Sequence, residues 1–456
     1  MGNQVVVRDL DHLTSWHADW RGLRVVVLGL GVSGFAAADT LLELGAHVVV
    51  AAEFASDLRR QMLDVIGGRF AGQATSDEVP AELDDFDAEL VIVSPGFALD
   101  HALVTWALET GIPIWGDIEL AWRLRDKAGK PAEWIAVTGT NGKTTTVQLT
   151  THILVAGGQR AVPAGNIGVP VLDAIRDPQE FDVIVVELSS FQLHWMPRSG
   201  PGAIAPLASV CLNVADDHLD WHGTREDYVE AKATVYANTR LACIYNRSDD
   251  ATMRMVEDAE VQEGCRAIGF GLGIPGPSDV GMVDDIIVDR AFLDDRHTTA
   301  LELTTHGELA AAGLASPHMI ANVLAASALA RCAGVAVEVV TAALSTFQID
   351  HHRTEAIAHV GGVLWVDDSK ATNPHAADAA LRSYDSVVWI VGGLLKGVDI
   401  STVIARHANR LRGAVVIGLN REPVVEAFAR HAPQVAVFEV LATDTDEVMP
   451  EAARFA

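Results

Sequence analysis

The sequence predicts an α/β protein of three domains, and three observations carry that prediction. Residues 24–50 run strand, glycine turn, helix, strand. Residues 134–154 run strand, glycine loop, helix. From residue 363 onward, apolar runs at Val363–Val366, Val387–Val391 and Ala414–Ile417 alternate with helical stretches. Strands that alternate with helices imply parallel sheets covered by helices. The expected layout is a Rossmann-like N-terminal domain over 1–128, a P-loop-type central domain over 129–348 and a Rossmann-like C-terminal domain over 349–456.

Composition narrows the function. A chain of 456 residues suits about three domains, and 49% hydrophobic residues suffice for their cores. The net charge of −28 makes the chain a poor candidate for wrapping nucleic acid or docking on an anionic membrane, since both rely on basic surface. An anionic substrate must be held by a few local cations and by backbone dipoles. Cys211, Cys243, Cys265 and Cys332 form no C-x-x-C pair and read as buried thiols in a reducing compartment. Met1 to Arg24 is polar and lacks a signal-peptide apolar core, and no run of 18 apolar residues occurs. A soluble, cytoplasmic protein is expected.

In the first domain, Arg24–Leu28 reads as a strand. Gly29-Leu30-Gly31-Val32-Ser33-Gly34 then fits G-x-G-x-x-G, and Phe35–Leu44 reads as a helix. A strand follows at Gly45–Val50, with Glu53 shortly after it. This is the dinucleotide fingerprint, acid included. Its physics requires only a diphosphate on a helix N-terminus, so NAD and a nucleotide-sugar diphosphate both satisfy it. The strand Leu90–Val93 ends in Ser94-Pro95-Gly96, at the sheet edge where open α/β sheets bind ligands. Lys127–Glu133 is polar and turn-rich and marks the first boundary.

In the central domain, Trp134–Thr138 reads as a buried strand, followed by Gly139-Thr140-Asn141-Gly142-Lys143-Thr144-Thr145 and a helix. The glycines let backbone N–H groups approach an anion, and the helix N-terminus adds partial positive charge. Lys143 is placed to reach β- and γ-phosphates, and Thr144 to offer its hydroxyl to Mg2+. Val137 stands where the general phosphate loop has its first glycine. Gly165-Asn166-Ile167-Gly168 is a second glycine-flanked turn. Phe181–Glu187 is a strand ending in a carboxylate suited to Mg2+. The strand Val210–Val214 runs into Asp216-Asp217-His218-Leu219-Asp220, a polar exit that suits Mg2+ or Mn2+. By pattern alone Lys232 is an ordinary helical lysine. Ile268–Thr305 reads as hairpins on the domain's edge, and Ser316 to about Arg331 as an alanine-rich helix with Asn322 near its start.

The third domain begins near Ile349 with Asp350-His351-His352-Arg353. Strand, polar loop and helix follow over Val363–Pro374, including Asp368, Lys370 and Thr372. A strand at Val387–Val391 ends in Gly392-Gly393-Leu394-Leu395-Lys396-Gly397, and another lies at Ala414–Gly418. This alternation indicates a parallel sheet.

Taken together, the loop 139–145, Gly165–Gly168, Glu187–Leu193, Asp217–Asp220, Asp367–Asn373 and Gly392–Gly397 resemble the Mur ligase family, from about Leu23 to the end of the sequence. Within it, Ile114–Leu120 looks like the member that adds D-glutamate. The resemblance implies an ATP-dependent ligase joining D-glutamate to UDP-N-acetylmuramoyl-L-alanine through an acyl phosphate, in peptidoglycan precursor synthesis, and acting as a monomer. It places the UDP-substrate on Gly29, Gly31, Val32, Ser33, Gly34, Ser94, Pro95, Gly96 and Asn166. It places ATP on Gly139–Thr145, Asn322, Arg353 and Asp368, and D-glutamate on Lys370, Thr372 and Lys396. One Mg2+ would sit at Thr144 and Glu187. A second would sit at His218 and Lys232, the latter matching the family's carbamylated lysine. Lys143, Glu187, His218 and Lys232 form the catalytic set. Met319 stands where the family has asparagine. The family's closing Ser-Pro-Ala…Ser-Phe-Asp stretch is not found before Phe455-Ala456, so the C-terminal domain is expected to lack its last segment. The competing readings are an NAD-dependent oxidoreductase, a non-catalytic nucleotide-binding module and a folylpolyglutamate synthase.

Overall fold

The computed structural model describes residues 9–73, 75–83, 85–348, 355–393, 395, 398–442 and 445–456. By its contacts the chain forms two compact units, 1–214 with 229–347, and 215–228 with 348–456.

The first unit carries two sheets. Strands β1 (Arg24–Leu28), β2 (His47–Ala52), β3 (Arg69–Gln73), β4 (Leu90–Val93) and β5 (Ile114–Gly116) form a parallel sheet in the order β3-β2-β1-β4-β5. Its valine-rich strands are buried on both faces. Val25, Val27, Val48 and Val50 enter one core cluster, while Val26, Leu28, Val49 and Ala51 enter another. That alternation is why these strands read as continuous apolar runs. The chain crosses from β1 to β2 on one side and later to β4 on the other. The crevice beyond the carboxyl ends of β1 and β4 is therefore the switch point where such sheets take ligands.

The second sheet has nine strands, ordered β14-β13-β12-β11-β10-β9-β6-β8-β7. They are β6 (Glu133–Thr138), β7 (Ala161–Gly165), β8 (Val183–Glu187), β9 (Ala208–Cys211), β10 (Ala242–Asn246), β11 (Arg266–Phe270), β12 (Asp279–Val283), β13 (Ile286–Asp289) and β14 (Leu301–Thr305). The strands from β7 to β12 pair in parallel, and β12, β13 and β14 pair antiparallel, which makes the expected hairpins at one edge. Strand β6 lies between β8 and β9, so the loop that follows it opens at this sheet's own switch point. Trp122 and Trp134 meet edge to face at 5.1 Å, and Trp134 belongs to the same core cluster as Val25. The two sheets of this unit thus share packed apolar residues.

In the second unit, β17 (Val387–Gly392), β18 (Leu411–Ile417) and β19 (Ala436–Glu439) form the expected parallel sheet over Ile404, Val416 and Phe428. One strand departs from expectation. β16 (Val363–Asp367) pairs antiparallel with β15 (Glu355–Val360) in a ribbon of its own. Gly361 and Gly362, at φ of 60° and 83°, make the tight turn that this pairing requires. No described helix is long and apolar enough to cross a membrane.

Candidate functional site

The first glycine loop leaves β1 and enters the helix Val32–Glu43, whose N-cap is Gly31 with no side chain capping it. Gly29 has φ 99°, and a Cβ on Gly34 would lie 2.1 Å from the Gly29 carbonyl oxygen, which only glycines permit. A cavity of about 550 Å3 opens here, lined by Gly29 to Ser33 from one side and Ser94 to Ala98 from the other. The structure therefore brings the two predicted halves of the UDP-substrate loop set to one cavity. His101 also lines it and was not anticipated. Its Nδ1 accepts from the Leu103 N–H at 3.1 Å, so Nε2 carries the proton, 3.6 Å from the Glu53 carboxylate.

The second glycine loop leaves β6 and enters the helix Lys143–Ala156 through Gly142, at φ 85°. A Cβ on Gly142 would come within 2.4 Å of the Asn322 Oδ1, which places Asn322, from the helix Pro317–Cys332, against the loop. Lys143 donates to the carbonyl oxygens of Gly139 at 2.8 Å and Thr140 at 3.0 Å. Thr144 and Thr145 follow in the helix's first turn. Asn213, just beyond β9, clamps the loop. Its carbonyl accepts from Thr140 N–H at 2.9 Å and its Oδ1 from Asn141 N–H at 2.9 Å, while its Nδ2 donates to the Asn141 carbonyl at 3.0 Å.

Glu187 ends β8 and is buried. Its Oε1 accepts from Asn166 Nδ2 at 2.9 Å, and Asn166 N–H donates to the Glu187 carbonyl at 3.0 Å. Among the described residues, its Oε2 is buried without a hydrogen-bond partner. A buried, unpartnered carboxylate oxygen is costly and fits a cation held there. Lys232 is buried as well, and its Nζ donates to the Gly139 carbonyl at 3.1 Å. Gly139–Thr145, Asn166, Glu187, Lys232 and Asn322 thus belong to one unit, around the end of β6.

The remaining expected residues that the structure describes lie in the second unit. His218 adopts φ 54°, its N–H donates to the Asp217 carboxylate at 3.1 Å, and its Nε2 lies 3.6 Å from that carboxylate. Asp217 in turn accepts from Asn373 Nδ2 at 3.3 Å. Asn373 caps the helix Pro374–Leu381 by accepting from Ala376 N–H. Asp368, Lys370 and Thr372 occupy the turn before that helix, with Lys370 and Thr372 exposed. Arg353 and Lys396 fall outside the described residues. Among the described residues, no group of three or more His, Cys, Asp or Glu side chains is already gathered around a metal position.

The model of the Mur ligase middle domain matches residues 137–330. The UDP-N-acetylmuramoylalanine–D-glutamate ligase of Leifsonia xyli subsp. xyli is 62% identical over 97% of this chain and 87% of its own length. That of Streptomyces avermitilis is 47% identical over 96% and 90%. Among solved structures, a murein peptide ligase from Psychrobacter arcticus aligns with a TM-score of 0.54 at 17% identity, over 95% of this chain and 94% of that one. A UDP-N-acetylmuramate–alanine ligase from Thermotoga maritima aligns with a TM-score of 0.54 at 19% identity, over 92% and 90%. These structural likenesses bear on the fold, and the closer relatives bear on the family.

Proposed function

The chain belongs to the Mur ligase family, among the UDP-N-acetylmuramoylalanine–D-glutamate ligases, and from that premise we propose how its residues divide the work. It is an ATP-dependent amide-bond-forming ligase that adds D-glutamate to UDP-N-acetylmuramoyl-L-alanine in peptidoglycan precursor synthesis. The observation that carries this is 62% identity over 97% of the chain.

In our reading, residues 1–128 hold the UDP-sugar, 129–348 hold ATP and 349–456 bring D-glutamate. The loop Gly29–Gly34 with Ser94–Gly96 takes the diphosphate on backbone N–H groups, and Asn166 contacts the substrate. The loop Gly139–Thr145 cradles the ATP phosphates, with Asn322 on the adenine side and Arg353 and Asp368 completing the nucleotide site. Lys370, Thr372 and Lys396 surround D-glutamate. Mur ligases use ATP and Mg2+. Thr144 and Glu187 would hold Mg2+, and the unpartnered Glu187 Oε2 supports that assignment. When bound, Mg2+ supplies neutralisation of phosphate charge. The reading includes a second metal at His218 and carbamylated Lys232, with Mn2+ as a substitute, and a monomeric cytoplasmic enzyme with neither nucleic acid nor membrane as partner.

Carboxylate and amine do not condense in water without activation. The substrate carboxylate attacks the γ-phosphorus of ATP, the bond to the β-phosphate oxygen breaks, and acyl phosphate and ADP form. Lys143 balances the charge that spreads over the γ-phosphate oxygens. The deprotonated D-glutamate amine then attacks the acyl carbon, the tetrahedral intermediate loses a proton, and phosphate leaves. Phosphate release from Mg-ATP tests this, with both substrates supplied and each omitted in turn. Release that requires both supports the reading. ATP binding without substrate-dependent release overturns it for this chain.

A further inference from the structure

A path of polar groups leaves the first glycine loop and ends beside Glu187. Ser33, in the first turn of the helix Val32–Glu43, lies near enough to Asp117 for its hydroxyl to favour the ionised carboxylate. Asp117 opens the helix Asp117–Arg123 directly after β5, and its Oδ2 accepts from Gln192 Nε2 at 3.2 Å. Gln192 closes a capping box on the helix Ser190–His194. Its Oε1 accepts from the Ser189 N–H at 3.1 Å and hydroxyl at 3.2 Å, and its own N–H donates to the Ser189 Oγ at 3.1 Å. With the carbonyl end of the amide held by Ser189, the amino end faces Asp117. Ser189 lies two residues beyond Glu187. Leu188, between them, is pinned to the phosphate-loop strand by its N–H to the Val137 carbonyl at 2.9 Å and by Thr138 Oγ1 to its carbonyl at 2.8 Å.

Several features mark this path as more than packing. Gln192 is buried, and burial pushes the Asp117 carboxyl up to about 6, so an ionised group is kept here at a cost. The corner is also tight, since a Cβ on Gly116 would lie 3.1 Å from Trp195 Cβ. Ser33 to Asp117 belongs to the sheet of β1, and Gln192 to Glu187 belongs to the sheet of β6. The polar contact therefore joins a loop of one sheet to the carboxylate strand of the other.

We propose that Asp117 is a positioning residue which, with Gln192, couples occupancy of the Gly29–Gly34 loop to the placement of Glu187. The inference rests on the reading that this loop holds the UDP-sugar diphosphate. An anion drawn onto the first turn of the helix Val32–Glu43 acts on Ser33. Asp117 and Gln192 pass that constraint to residues 187–189. The UDP-substrate and the nucleotide then strengthen each other's binding by one common factor.

The test swaps donor and acceptor. Gln192→Glu sets two carboxylates face to face while still accepting from Ser189. Asp117→Asn keeps a carbonyl oxygen that accepts from Gln192 Nε2 and serves as the control. The double variant restores one hydrogen bond with its polarity reversed. Calorimetry gives the dissociation constant of UDP-N-acetylmuramoyl-L-alanine with and without a non-hydrolysable Mg-ATP analogue. In the wild type the nucleotide is expected to tighten binding about fivefold or more, the low end of ordinary coupling. Gln192→Glu brings the factor to within about twofold of one, Asp117→Asn alone leaves it near the wild-type value, and the double variant restores it, as coupled neighbours do in a double-mutant cycle. Ser33→Ala, which leaves the interior intact, lowers the factor with its thermal midpoint unchanged. A purely structural role would lower stability without this pattern. Coupling that survives in Gln192→Glu and Ser33→Ala, or a loss that the double variant does not rescue, overturns the inference and leaves the functional reading standing. A wild type that does not bind the UDP-sugar overturns both.

Discussion

The Nζ of Lys232, in a side chain with 2% of its surface exposed, donates to the carbonyl oxygen of Gly139 at 3.1 Å. A buried ammonium at this glycine loop is expensive unless its charge is used or removed. As a carbamate, formed from the neutral amine and CO2 with loss of a proton, the same side chain would present anionic oxygens of the kind that hard cations prefer. Enzyme freed of bicarbonate is therefore expected to lose most of its turnover and to regain it when bicarbonate is returned. Lys232→Ala should be slow in both conditions. Wild-type turnover indifferent to bicarbonate would remove carbamylation from the reading.

Lys143 donates to the same Gly139 carbonyl and to that of Thr140, so its ammonium spans the loop that the phosphates would enter. Lys143→Ala should lower kcat/KM by a factor of about 10² to 10³, the usual effect of losing one well-placed charge-stabilising group. Lys143→Arg should recover little, because a planar fork does not replace a compact ammonium between two carbonyls. Steady-state phosphate release decides the matter, and activity within about tenfold of wild type in Lys143→Ala would contradict the assigned role.

Asn213 makes two side-chain hydrogen bonds to Asn141 and a backbone one to Thr140. Asn213→Ala removes the first two and keeps the third. At about 1 kcal/mol each, the loss is about 2 kcal/mol, or a nucleotide affinity weakened about 30-fold. Binding of a non-hydrolysable ATP analogue measures it. Unchanged affinity would show that the loop holds its shape without the clamp.

The two glycine loops were legible because their geometry is written locally, as strand, glycine and helix within about a dozen residues. Asn213 was not, because its contact with Asn141 spans 72 residues and exists only because β6 and β9 are neighbours in the sheet. His101 escaped for a similar reason: it faces the first cavity only because β4 lies beside β1. The pairing of β16 was misjudged because a strand followed by a loop and a helix reads alike in parallel and antiparallel sheets. The discriminating signal was Gly361-Gly362, two residues suited to the positive φ of a tight hairpin. Lys232 carried no pattern at all. Its expected role came from family resemblance, and its position against Gly139 follows from the helix Arg225–Ala233 ending behind the loop.

Asp117 supplies a prediction about pH. An unperturbed aspartate titrates near 3.9, whereas burial holds this one at about 6 in the folded protein, against the opposing hydrogen bond from Gln192 and the nearby Ile118 and Ser33 donors. The folded state therefore binds the proton more tightly than the unfolded one. Above about pH 6 the ionised group costs stability, at most about 3 kcal/mol for a difference of about two pH units. As pH falls through 6 towards 4, protonation relieves that cost in the folded state only. Asp117→Asn cannot titrate, so its stability relative to wild type should be constant above about pH 7 and should shift in favour of wild type between pH 6 and 4. Urea unfolding of both proteins across pH 4.5 to 8 measures the difference. A gap that does not change with pH would mean that Asp117 ionises as an ordinary surface carboxylate, and that the contact with Gln192 is made without the burial that raises its pKa.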